Sequence, residues 1–156
     1  MATEIERKFL VCSDAWRRQI EHSERYVQGY LANTTLSSIR VRMSDEHAWL
    51  NIKRAIPGVE RAEYDYSIPV SDARELLADL CEGYRIEKTR HRVRYAGRLW
   101  EIDVFEGANE GLTIAEVELD LAEQTFQKPA WLGDEISHDL RYYNNMLAIR
   151  PYKHWS

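Results

Sequence analysis

Polar and apolar side chains alternate one for one along much of this chain, the period of a strand with one wet and one dry face. In Glu4–Val11, Glu4, Glu6 and Lys8 share one face and Ile5 and Phe9 the other. Arg25–Ala32 and Ser37–Met43 read as strands joined by the turn-prone Asn33-Thr34-Thr35, and Ala48–Ala55 and Arg61–Ile68 as strands separated by Pro57-Gly58. Tyr84–Tyr95 and Leu99–Phe105 predict a hairpin around Ala96-Gly97, and Thr113–Leu121 a further strand. Two stretches break the alternation. Ser13–Arg18 predicts a short helix capped by Ser13, and Ser71–Cys81 a longer one capped by Ser71, with Leu76, Leu77 and Leu80 in a stripe and Gly83 past its end. From Ala122 on, Trp131, Ile136, Leu140, Tyr143, Met146 and Leu147 predict helical pieces packed back on the sheet. Many short strands with hairpin turns predict an α+β fold, a single domain over residues 1–156 built on an antiparallel sheet closed into a barrel, with helices outside.

The polar faces are sorted by sign. Arg40 and Arg42 oppose Ile39 and Val41; Asn51 and Lys53 oppose Leu50 and Ile52; Lys88, Arg90, Arg92 and Arg94 share one parity. Glu63 and Asp65 oppose Tyr64 and Tyr66, Glu101 and Asp103 oppose Trp100 and Ile102, and Glu116 and Glu118 oppose Ala115 and Val117. The plain reading is a solvated sheet face, which commonly carries such residues. Ordinary wet faces mix opposite charges, however, because like charges side by side repel. A closed barrel that buries the long aromatic face under outer helices would turn these rows into its lumen. Arginine and lysine there call for an anion with several charges, such as a polyphosphate. The carboxylate rows call for a hard divalent cation, and Mg²⁺ commonly bridges carboxylates to phosphates.

Composition narrows the field. The chain has 156 residues, 44% hydrophobic and 30% charged, with a formal net charge of -5. That balance fits a soluble globular protein and argues against a general nucleic-acid coat, which needs surplus positive charge. No apolar run approaches a membrane span, and the acidic start does not read as a signal peptide. Cys12 and Cys81 stand alone, which points to a reducing compartment such as the cytoplasm and away from a structural zinc site. No Gly-rich phosphate loop of the GxxxxGK[ST] type is present.

The run Glu4-Ile5-Glu6-Arg7-Lys8 resembles the ExExK signature of the CYTH superfamily, the triphosphate tunnel metalloenzymes. The likeness continues through Gln28-Gly29-Tyr30-Leu31, Ile39-Arg40-Val41-Arg42, Asn51-Ile52-Lys53, Glu63-Tyr64, Glu87-Lys88-Thr89-Arg90, Ala115-Glu116-Val117-Glu118 and Asp139–Asn145, nearly the whole chain. It implies a tunnel of about eight antiparallel strands and metal-dependent cleavage of triphosphates. Glu4, Glu6, Glu116 and Glu118 would hold Mg²⁺ (or Mn²⁺), and Lys8, Arg40, Arg42, Lys53, Lys88 and Arg90 would hold phosphates. Asp103 matches a tunnel acid less closely, and Arg92 shares the parity but falls toward or beyond the tunnel mouth. The short chain is similar to small bacterial members that hydrolyse inorganic tripolyphosphate. The resemblance admits a homodimer, for which the sequence shows no patch.

The expected chemistry is in-line attack of water on a terminal phosphorus. A metal-bound hydroxide, Glu63, or Tyr30 activated by Lys8 would act as base; Tyr30 reads first as a core aromatic. The five histidines lack metal spacing and read as surface residues, and the five tryptophans as packing residues. An adenylate cyclase or a thiamine triphosphatase would use the same phosphate grip, while a non-catalytic sensor of polyphosphate or nucleotide could dispense with the acids.

Overall fold

The structure, a computed structural model, describes residues 2–55 and 58–156. Nine strands make one antiparallel sheet: β1 Ala2–Val11, β2 Ile20–Asn33, β3 Ser37–Met43, β4 Ala48–Arg54, β5 Glu60–Ile68, β6 Glu82–Tyr95, β7 Arg98–Phe105, β8 Thr113–Glu118 and β9 Leu132–Glu135. Their order is β5-β4-β3-β2-β6-β7-β8-β1-β9, and β5 also pairs with β1. That pairing, with Glu4 opposite Arg61, closes an eight-stranded barrel and leaves β9 outside on the end of β1. Closure removes the free edges that an open antiparallel sheet would expose.

Side chains of odd and even parity then part company. Phe9, Trp100, Ile102, Ala115 and Val117 point outward and are buried under Trp16, Leu119 and Trp131. Trp100 meets Phe9, Phe126 and Trp131 edge-on at 5.9, 5.7 and 5.6 Å, the arrangement aromatic quadrupoles favour. On the far side, helix α1 (Val70–Asp79) lays Ala73 and Leu77 over Val41 and Ala48. Both helices predicted from the alternation breaks are present, but their caps differ. Pro69 occupies the N-cap of α1, so Ser71 lies inside the first turn. The short 3-10 turn Ala15–Gln19 starts after Asp14, with Ser13 accepting only from the Ala15 N–H at 3.4 Å.

The tail departs most from expectation. It contains strand β9, two 3-10 turns and one short helix, α2 (Asn144–Leu147), rather than helices throughout. Only part of it packs on the outside. Inward-facing Tyr30, Ile86, Phe105 and Ile114 form an apolar floor inside one end of the barrel, which Ile136, Leu147 and Ala148 complete. The lumen is therefore amphipathic along its axis, apolar at the floor and charged above it. At the turn before β5, Gly58 is described and Pro57 lies outside the described residues; Gly58 N–H donates to the Tyr143 hydroxyl at 2.9 Å. His91 is half-buried rather than a surface residue, its ring tilted against Trp16 with centroids 5.2 Å apart and Ser23 Oγ 2.6 Å from its Nδ1.

Candidate active site

Above the floor the barrel encloses a cavity of about 660 Å³, solvent at its mouth included. Seven basic and six acidic side chains line it. Glu4, Glu6 and Lys8 come from β1, Arg40 and Arg42 from β3, Lys53 from β4, Glu63 from β5, Lys88 and Arg90 from β6, and Glu116 and Glu118 from β8. The strand register explains the gathering: Glu6 lies opposite Glu118 and Lys8 opposite Glu116, Arg40 opposite Asn51, and Lys53 opposite Glu63. Each pair of neighbouring inward positions thus lands at the same height on the wall.

Three of the cations, Arg40, Arg42 and Arg61, have no acid to hold among the described residues. Among the described residues Arg40 and Arg42 make no salt bridge, and the Arg40 Nε is buried without a hydrogen-bond acceptor. An orphaned buried guanidinium N–H is costly unless an anion meets it. Arg42 has one hydrogen bond, from its Nε to Gln28 Oε1 at 2.6 Å, and stacks over the Tyr26 ring at 5.0 Å. Burial, with Arg40 and Arg90 adding repulsion, pushes its pKa down to about 10.

The remaining cations are paired. Lys53 Nζ is 2.7 Å from Glu4 Oε2, Lys8 Nζ is 3.7 Å from Glu6 Oε1, and Arg90 Nη2 is 3.4 Å from Glu116 Oε2. Burial works against the charge of Lys8, but Glu116 and Glu6 outweigh it and its pKa rises. For Lys53 burial wins over Glu4, and its pKa falls. Glu118 lacks a salt-bridge partner among the described residues; burial, together with Glu101, Glu4, Glu6 and Glu63, raises its pKa. That crowding is negative potential awaiting a cation.

A hard divalent ion fits this donor set, which offers carboxylate oxygens alone. Among the described residues no three acids, histidines or cysteines are already gathered as ligands around one point. Lys53, Lys8 and Arg90 hold three of the four expected acids, and phosphate oxygens entering the lumen would compete for those cations and release the carboxylates.

Two expected residues stand elsewhere. Asp103 is fully buried in the wall and not on the cavity, accepting from Arg90 Nε and Nη2 at 2.8 and 2.9 Å and from Lys88 Nζ at 2.8 Å. Arg90 and Lys88 overcome its burial and hold it well below the usual carboxylate range. Arg92 does not line the cavity but pairs with Glu101 and Glu24, at 3.5 and 3.9 Å. Tyr30 meets both readings, bordering the cavity and packing in the floor, and no hydrogen bond joins it to Lys8. Glu63 accepts from Asn51 Nδ2 at 2.7 Å through Oε1, and Oε2 has no protein partner among the described residues.

The residues missed are Arg61, Ser38, Glu101 and the tail's Tyr143, Asn144 and Asn145, all on the cavity wall. The inward parity of Arg61 and Ser38 was a usable signal. Nothing in a pattern of alternation could place the tail. Tyr143 spreads its ring between Lys8 Nζ at 4.5 Å and the Arg61 guanidinium at 5.1 Å, while its hydroxyl donates to Ser137 O at 2.7 Å.

Comparison with known proteins adds an independent line. The family described as CYTH domain matches residues 2–152. A protein of Acetivibrio thermocellus named inorganic triphosphatase is 43% identical over 155 residues, covering 99% of each chain. A second of that name, from Nitrosomonas europaea, is 38% identical and covers 94% of this chain and 97% of its own. The crystal structure of the inorganic triphosphatase NE1496 superimposes with a TM-score of 0.70 at 36% identity, covering 96% of both chains.

Proposed function

We propose, from the premise that this chain belongs to the CYTH family, that it is a phosphoanhydride hydrolase that cleaves inorganic tripolyphosphate to pyrophosphate and phosphate. The observation that carries the reading is the barrel lumen with two acid-free arginines on β3 facing carboxylates on β1 and β8, of which Glu118 has no cation partner among the described residues. Seven basic against six acidic residues leave one formal positive charge. A highly charged anion entering alone would leave the lumen strongly negative, so the balance supports a cation that enters with it. Glu4, Glu6, Glu116 and Glu118 would hold that cation, Mg²⁺ or Mn²⁺, which when bound offsets phosphate charge and polarises water.

The chain's own side chains then do the positioning on which phosphoryl transfer depends. Arg40 and Arg42 take phosphate oxygens first, since no acid competes for them. Lys8, Lys53 and Arg90 follow by trading carboxylate for phosphate, and their charges meet the negative charge that builds on the leaving pyrophosphate. Lys88, locked in the wall, contributes field rather than contact. For the proton of the attacking water, the contacts favour Glu63: its carboxylate is anchored on one oxygen by Asn51 and open on the other. Tyr30 makes no side-chain hydrogen bond among the described residues and packs in the floor. The two free thiols support a reducing compartment such as the cytoplasm, and among the described residues no helix is long and apolar enough to cross a membrane.

Phosphate release from tripolyphosphate, ATP and thiamine triphosphate, each with Mg²⁺ or Mn²⁺, tests the reading. Tripolyphosphate should be the best substrate, and Glu116→Gln and Arg42→Ala should each lower turnover by roughly 10²- to 10³-fold, as loss of one preorganised electrostatic contact does. Preference for an organic triphosphate would replace the substrate, and tight binding without phosphate release under any condition would replace catalysis with sensing.

A further inference from the structure

The wall holds a relay of hydrogen bonds that runs from the tail to Arg42. Lys88 Nζ donates to Asn144 Oδ1 at 3.0 Å; Gln28 Nε2 donates to the same oxygen at 3.2 Å; Arg42 Nε donates to Gln28 Oε1 at 2.6 Å. Lys88 and Gln28 have no exposed surface, and Asn144 and Arg42 border the cavity. The relay is set from its Arg42 end, a guanidinium that can only donate, with Lys88 at the other end. Each amide between them therefore has one permitted orientation: Gln28 must turn its oxygen to Arg42 and its nitrogen to Asn144, and Asn144 must offer its oxygen to both.

We propose that Asn144 is a positioning residue, which through Gln28 aims the Arg42 guanidinium into the lumen and so makes the phosphate grip of β3 depend on the seating of the C-terminal segment. The inference rests on Arg42 being a phosphate-binding residue. Its physical basis is that among the described residues Arg42 has no other hydrogen bond to fix it, while Arg40 and Arg90 repel it. If Asn144 loses its oxygen, the Gln28 amide has no acceptor for its nitrogen and is free to flip, which would set a donor against the Arg42 donor. The tail is tied down independently of this relay: Asn33 Nδ2 donates to Asn145 O at 2.8 Å, and Tyr84 N–H donates to Ala148 O at 2.8 Å. Loss of the Asn144 oxygen should thus disturb the relay before it unseats α2.

The test pairs a structural readout with a kinetic one. In the substrate-free protein, the Nε–H resonance of Arg42, assigned by its loss in Arg42→Lys, should be slow to exchange. In Asn144→Ala it should collapse to the position of a free arginine. An unchanged resonance overturns the proposal, whatever the enzyme hydrolyses. With tripolyphosphate, Asn144→Ala should lose about 10- to 100-fold in kcat/KM, the range typical of residues that orient a primary ligand. Added to Arg42→Ala, it should cost less than about threefold more, because residues that act through one another are not additive. Full additivity overturns the proposal. If Asn144→Ala does not fold, Gln28→Leu breaks the relay one link nearer Arg42 and is read by the same two measurements. Absence of tripolyphosphate turnover in the parent protein would count against the function and leave the resonance test standing.

Discussion

Replacing Asp103 by Asn should be among the most damaging single changes in the barrel, although it adds no volume and removes one charge. Asp103 accepts three charge-assisted hydrogen bonds, two from Arg90 and one from Lys88, all between 2.8 and 2.9 Å. An asparagine keeps one acceptor oxygen and turns an N–H₂ group against donors. It also leaves the buried Lys88 without its carboxylate partner and Arg90 with Glu101 and Glu116 only. Breaking a buried ion pair from one side costs about 3–5 kcal/mol. At about 2–4 °C per kcal/mol for a chain of this size, the midpoint of thermal unfolding should fall by roughly 6–20 °C. The pH dependence gives a second check. The depressed pKa of Asp103 means that its contribution is complete above the unfolded value near ~3.9 and is lost as pH falls through the lower folded value, so the variant should lack that part of the acid limb. Lys88 already sits at about 7, pushed down by burial against the pull of Asp103; without Asp103 it falls further. A base whose folded pKa lies below its unfolded pKa makes stability rise with pH between the two values. The deficit of the variant should accordingly shrink as pH climbs toward about 7, where Lys88 has shed its proton in the variant alone, and level off above it, where Lys88 is neutral in both folded proteins. Circular dichroism melts extended from about pH 10 down to about pH 2 would read both effects. A midpoint within about 2 °C of the parent, or a deficit that grows with pH above about pH 5, would refute the account of this triad.

Two further outcomes follow from the same wall. Because Lys88 sits at about 7, an anion in the lumen should draw a proton onto it: sulfate binding at pH 7.5, followed calorimetrically in buffers of different ionisation enthalpy, should take up a fraction of a proton, and Lys88→Met should abolish the uptake. Gly83 has φ +72°, and a Cβ there would meet the carbonyl oxygen of Ala148; Gly83→Ala should destabilise by about 1–3 kcal/mol in urea unfolding, and a change below about 0.5 kcal/mol would show that the tail yields there freely.

The alternation of side chains was enough to predict the barrel strands and the inward set on seven of them, because a strand of fixed period carries its facing with it wherever it pairs. The ExExK run and the Arg40–Arg42 pair were legible for that reason. Parity could not tell how far along the barrel axis each inward residue lies. Ile86 and Lys88 share a face, yet one is floor and the other wall, and Asp103 shares the facing of Glu101 but is sealed behind the lumen. Depth depends on register across eight strands and on what fills the end of the barrel. The tail decided that. Its residues have no single period, and Tyr143, Asn144 and Leu147 reach the lumen through contacts with segments more than fifty residues away in the chain, a placement that local pattern does not encode and only the closed barrel creates.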